Sequence, residues 1–201
     1  MKLDRIVVVG EGPADLQVIP ILVKRWVRQF GGQIDQVETY PMKSIRVNTF
    51  QKKVLAILNL EPTSPVLIVV DRDADRGRLA RLQEGRFKAG DPSRCVIGLA
   101  VEMLEAWLLA DPEAWRKVFP KIKNIPLPKK PELKWGKKES ANHPKRLLQA
   151  AFEACNIANS NESASYRVQL AEEMDLARLA EICPQGFGAL ASEIQSRWLS
   201  G

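Results

Sequence analysis

Three runs of apolar, largely β-branched residues constrain the architecture: Arg5-Ile6-Val7-Val8-Val9, Pro65-Val66-Leu67-Ile68-Val69-Val70 and Cys95-Val96-Ile97-Gly98-Leu99-Ala100-Val101. None alternates polar with apolar, so each predicts a strand buried on both faces. A weaker strand is expected at Val37-Glu38-Thr39-Tyr40. Helical segments separate them. The first runs from Pro13 to Phe30, is stopped by Gly31-Gly32, and should kink at Pro20. Others run from a cap at Asn48 to Leu60, from Asp75 to Lys88, and from Glu102 to Ala110. This order predicts an α/β fold with a mostly parallel four-stranded sheet flanked by helices.

The pattern changes after Asp111. Pro120, Pro126, Pro128 and Pro131 interleave with lysines, so an irregular loop is expected over Pro120 to Asn142. Helices resume at Pro144 to Cys155, Ser163 to Ile182 and Gly186 to Leu199. The expected organisation is an α/β domain (1–111), a basic Pro/Lys-rich loop region (112–143), and a C-terminal helical extension (144–201) packed on the same domain. No internal repeat is visible.

Acids stand where the strand runs end: Glu11 in Gly10-Glu11-Gly12-Pro13, Asp71 and Asp73 in Asp71-Arg72-Asp73, and Glu102 and Glu105 after the last run. In parallel sheets, ligands bind beyond the carboxyl ends of the strands. Carboxylates beside a core need neutralising, and a divalent cation does so; Mg²⁺ favours a few carboxylates plus substrate phosphates. Strand alternation would put Asp71 and Asp73 on one side and Arg72 on the other. The glycines around Glu11 would let a phosphate approach the backbone.

Each acid also has an ordinary reading. Glu11 could occupy a tight turn, Asp73 or Asp75 could cap a helix, Glu102 could favour a helix dipole, and Glu105 could pair with an arginine. Glu105 is preferred over Glu102 for the site. His143, the only histidine, has no Cys pair for zinc and no partners for a nucleophilic triad. Trp107 and Trp115 are expected in the core.

Net charge is +6, unevenly spread. Between Arg116 and Arg146 there are eleven Lys/Arg against two acids, a surplus of nine, so the remainder carries −3. Such a block suits a polyanion or is a solvated loop. Trp135, between Lys134 and Lys137-Lys138, is a candidate for stacking on a nucleobase. The three scattered cysteines read as buried thiols in a reducing cytoplasm. No signal peptide is visible, and no apolar stretch reaches the roughly 20 residues of a spanning helix. A cytoplasmic protein with no membrane contact is expected.

Val7-Val8-Val9-Gly10-Glu11-Gly12 together with Leu67-Ile68-Val69-Val70-Asp71-Arg72-Asp73 resembles the TOPRIM domain, the metal-dependent module of topoisomerases, bacterial primases, recombination proteins and overcoming-lysogenization-defect nucleases. A TOPRIM-like group, domain-of-unknown-function family 4276, is closer still. It shares Val101-Glu102-Met103-Leu104-Glu105-Ala106-Trp107-Leu108-Leu109-Ala110-Asp111, Pro144-Lys145-Arg146-Leu147-Leu148 and Ile182-Cys183-Pro184. The resemblance implies a TOPRIM-like sheet. Asp71 and Asp73 would hold Mg²⁺ (or Mn²⁺), Glu11 would bind metal or act as general acid/base, and Glu105 would complete the site. Arg72, which departs from a plain acidic turn, is counted with Arg76 and Arg78 as a phosphate-binding candidate, and Lys134, Lys137 and Lys138 with Trp135 as nucleic-acid contacts. Groups of this type resemble phage-defence or plasmid-encoded proteins, which implies an ATPase partner. No zinc segment or topoisomerase tyrosine context is present.

The expected function is a Mg²⁺-dependent phosphodiesterase or nuclease acting on DNA or RNA. The alternative is a non-catalytic subunit that binds nucleic acid or a nucleotide and regulates an ATPase. A minor third reading is phosphoryl or nucleotidyl transfer at the same site.

Overall fold

The computed structural model describes residues 2–134 and 140–200. Four strands, β1 (Lys2–Gly10), β2 (Gln33–Pro41), β3 (Val66–Asp71) and β4 (Cys95–Ala100), form one all-parallel sheet in the order β2-β1-β3-β4. β1 is central: Val7 pairs with Glu38 on one side and Val66 on the other. Ile6 through Val9 and Val66 through Val70 are buried, which explains their unbroken apolar character. β2 is longer than the expected four residues. It lies at an edge with much of its length exposed, so burial imposes no apolar run on it.

Alternation along the strands divides the interior in two. Val7, Val9, Ile68 and Val70 meet α2 (Phe50–Leu60) and α3 (Arg78–Lys88) on one face. Ile6, Val8, Leu67 and Val69 meet α1 (Pro13–Gln29) and the C-terminal helices on the other. That second core is continuous through α4 (Leu104–Leu108), α5 (Pro112–Val118), α6 (Pro144–Ala154), α7 (Ser160–Glu173), α8 (Leu176–Ile182) and α9 (Ala189–Ile194). Fully burying one such Val, Leu or Ile contributes about 1.5–3 kcal/mol.

Several helix boundaries differ from expectation, each for a local reason. α3 begins at Arg78, after a turn in which the Asp75 carboxylate accepts from the Gly77 N–H. α4 begins at Leu104 because Met103 is extended and Glu102, in the bend before it, is tied to the β3–α3 turn. α5 stands inside the stretch expected as loop: Asp111 caps it through the Glu113 N–H, and Pro112 suits its first turn. The expected Ser163–Ile182 helix is two. Asp175 accepts from Ala177 and Arg178 N–H groups and starts α8. α9 is flanked by π-helical turns at Pro184–Gly188 and Gln195–Leu199.

The Glu-Ala-Trp-Leu-Leu-Ala-Asp string is largely architectural. Trp107 and Trp115 are fully buried, and Trp115 Nε1 donates to the Leu108 carbonyl at 2.8 Å. Asp111 also accepts from the Asp175 N–H at 2.9 Å, joining α5 to α8. Arg25 of α1 donates to the Ala171 and Met174 carbonyls and fixes the end of α7.

Candidate active site

The strand order reverses direction between β1 and β3. From β1 the chain passes to β2 on one side, then returns to β3 on the other. α1 and α3 leave on opposite faces there, so the carboxyl ends of β1 and β3 border a natural crevice. A cleft of about 1180 Å³ opens at this point. Glu11, Asp15, Asp71, Asp73, Glu102 and Glu105 all line it.

Glu11 turns toward β3: its Oε2 accepts from the Asp71 N–H at 3.0 Å. Asp71 Oδ1 accepts from the Leu104 N–H at 2.9 Å, at the start of α4. Burial raises Asp71 most, and the charges of Asp15, Glu105 and Glu11 add to it, against the Leu104 hydrogen bond; its carboxyl is pushed up to about 8. Asp15 is also raised, chiefly by burial, with Glu105 and Glu11 contributing.

Asp73 reaches the cleft by a different route from strand alternation. β3 ends at Asp71, and Asp73 and Ala74 have φ of 50° and 59°. This left-handed turn is held by Glu102, which accepts from the Ala74 N–H at 2.8 Å and pairs with Arg72. Glu102 is thus a buried clamp rather than a helix-dipole acid. Gly10 also differs from its expected role. A Cβ there would lie 2.8 Å from the Asp15 Cβ, so the glycine makes room for α1 rather than for a ligand.

The cations expected to steady phosphate are engaged elsewhere or lie outside the cleft. Arg78 Nη1 lies 2.5 Å from the Asp71 carbonyl, 3.3 Å from Glu11 Oε2 and 3.6 Å from Asp73 Oδ2, with its guanidinium over the Phe50 ring. It organises the carboxylates. Arg72 is taken by Glu102, and Arg76 is exposed. None of Arg72, Arg76, Arg78 or Lys134 lines the cleft. Trp135, Lys137 and Lys138 lie outside the described residues.

Sequence reasoning missed Asp15 and the far wall. Asp15 Oδ2 accepts from the Gly12 N–H at 2.7 Å, a capping contact legible in Gly-Pro-Ala-Asp had the third helical position been weighed. The far wall comes from α6, α7 and the chain between them, including His143, Lys145, Ser160, Ser163 and Arg167. Glu105 faces Arg167, with Oε1 to Nη1 at 3.6 Å.

Among the described residues, no three His, Cys, Asp or Glu side chains stand as a ready metal cage. The donor set nonetheless suits Mg²⁺ or Mn²⁺. It is all oxygen, it holds more carboxylates than the neighbouring arginines balance, and burial with the charges of Asp15, Glu105 and Glu11 raises the Asp71 carboxyl. Mg²⁺ is ordinarily held by one or two carboxylates with water and substrate phosphate completing its shell.

A family model described as "Domain of unknown function (DUF4276)" matches residues 10–195, so the chain belongs to that family. No curated protein and no solved structure shows a significant match to it. Among the described residues, no helix is long and apolar enough to cross a membrane.

Proposed function

We propose that the protein is a Mg²⁺- or Mn²⁺-dependent phosphodiesterase acting on nucleic acid. The observation that carries this reading is Asp71: a largely buried carboxyl at the sheet's switch point, beside Glu11, Asp15 and Glu105, and pushed up to about 8 by burial and their charges. Carboxylates perturbed by burial and by one another in a cleft make it a functional-site candidate. Asp71 and Glu11 would hold the cation, with Asp73 at the exposed rim. Mg²⁺ or Mn²⁺ bound there supplies Lewis-acid stabilisation of charge on a phosphoryl oxygen.

The chain's own groups do the rest. Asp71 is oriented by the Leu104 N–H, and Glu11 by the Asp71 N–H and Arg78. Glu11, held from two sides, is placed to take a proton from an attacking water. Asp15 and Glu105 deepen the negative field. Lys145, exposed and lining the cleft, favours a polyanion there, and the basic composition of the stretch up to Arg146 supports the same reading. A cytoplasmic place in phage or plasmid defence beside an ATPase rests on the TOPRIM resemblance of the Glu11 and Asp71/Asp73 motifs.

One observation favours the second reading, a non-catalytic subunit that binds nucleic acid or a nucleotide and regulates an ATPase. Arg78 already contacts Glu11 and Asp73, and a permanent internal cation would make a metal dispensable. Incubation of the protein with single- and double-stranded DNA and RNA, with Mg²⁺, Mn²⁺ or EDTA, separates the two. Metal-dependent cleavage absent from Asp71→Asn supports the enzyme. Salt-sensitive binding without cleavage supports the subunit.

A further inference from the structure

On the sheet side, none of Arg72, Arg76 or Arg78 lines the cleft, and Arg76 is exposed outside it. Arg78 is surrounded by Glu11, the Asp71 carbonyl and Asp73, and Arg72 is held by Glu102. Beyond the cation that Asp71 and Glu11 would hold, a phosphodiester resting on the acid floor therefore takes its side-chain cation from elsewhere. The cleft-lining cations, Lys145 and Arg167, both come from the far wall.

Arg167 is the better placed. Its side chain is 22% exposed, so it is largely withdrawn from water yet open to the cleft. Its ion pair with Glu105 is long, at 3.6 Å, and among the described residues most of its five N–H donors have no other acceptor. α7 presents Ser160, Ser163 and Arg167 to the cleft at positions i, i+3 and i+7, one helical stripe of donors. The turn after Arg167 is fixed by Arg25 on the Ala171 carbonyl at 2.6 Å, so the guanidinium projects from a rigid base.

We infer that Arg167 is the phosphate-binding residue of this cleft, that Glu105 positions it, and that the substrate phosphodiester lies between Arg167 and the Asp71 side of the floor. Glu105 is then a positioning residue and not a metal ligand. A guanidinium fork matches two phosphate oxygens, which a lysine ammonium does not. The inference rests on the proposal that the cleft takes a nucleic-acid phosphodiester, and it adds the group that grips it.

The test is fluorescence anisotropy with a labelled single-stranded oligodeoxynucleotide in EDTA, where no cleavage intervenes. Arg167→Gln is expected to weaken binding about tenfold, equivalent to about 1.4 kcal/mol. It should also make the slope of log Kd against log salt shallower by about 0.7, the loss of one phosphate contact on a single strand. Arg167→Lys keeps the charge opposite Glu105, folds with less disturbance, and should lose about threefold. Arg178→Gln, on the exposed surface of α8, should bind as the wild type. Wild-type affinity and salt slope in both Arg167 variants would overturn the inference and leave the metal-site proposal standing. An equal loss in Arg178→Gln would also overturn it, because the effect would be diffuse charge. Absence of oligonucleotide binding by the wild type would overturn it together with the nucleic-acid reading. Metal-dependent cleavage is scored separately, so the two failures are distinguishable.

Discussion

Glu11, at the end of β1, accepts a hydrogen bond at 3.0 Å from the backbone N–H of Asp71, at the end of β3. The two residues are 60 positions apart in the chain and become neighbours because β1 and β3 pair in parallel. Arg78 then bridges Glu11 and Asp73, so the acids at these two strand ends form one connected group.

Asp71 makes the metal-free protein sensitive to pH in a defined direction. Folded, its carboxyl keeps a proton to about 8; unfolded, it loses it near the ordinary value of 3.8. Between these limits the folded state binds the extra proton, so stability falls as pH rises from about 4 to 8. Asp15, raised mainly by burial, acts in the same sense. Asp71→Asn should flatten this slope and melt several degrees above the wild type at pH 8 in EDTA. Melting curves across the range check it, and an unchanged slope would refute it.

Glu11→Gln separates charge from shape. The amide oxygen can still accept from the Asp71 N–H, so the thermal midpoint should stay within a few degrees. Metal-dependent cleavage should fall about hundredfold, the lower end for losing a proton acceptor. Initial rates at saturating Mg²⁺ measure this.

Glu132 anchors the segment after α5 to the π-helical turn at Pro184–Gly188. It is buried and accepts from the Gln185 and Gly186 N–H groups at 3.1 and 2.7 Å. Glu132→Ala leaves both donors without that acceptor and should cost about 3 kcal/mol. For a chain of this size that is roughly 6–12 °C in thermal midpoint. Gly186→Ala should act similarly, because a Cβ at this position would collide with the Glu132 carboxylate.

The cysteines should be silent. Cys95, Cys155 and Cys183 are buried and free, and burial raises all three thiols, Cys95 to about 12. Aromatic disulfide reagents should label the native protein at least tenfold more slowly than the denatured one, since the thiolate is the reactive form.

The sheet was legible because strands buried on two faces must be apolar throughout, as at Val66 to Val70. β2 was legible only in part, since an exposed edge leaves little apolar pattern. The acids were found because strand ends announce where a parallel sheet binds. Asp73 reached the cleft through a left-handed turn that local alternation does not foresee. Arg167 carried no local signal: it is one arginine on a helix, and only the packing of α7 across the crevice gives it a role. The same packing brings Glu105 opposite Arg167, a pairing that the expected metal role of Glu105 did not foresee.

The cation site proposed at the Glu11–Asp71 edge of the sheet can be probed directly. Titration of Mn²⁺ into the purified protein at pH 8, followed by the loss of the free-ion paramagnetic resonance signal, tests it without any substrate. Saturable binding is expected for the wild type, lost in Asp71→Asn and weakened in Glu11→Gln. No binding by the wild type, or equal binding by Asp71→Asn, would contradict it.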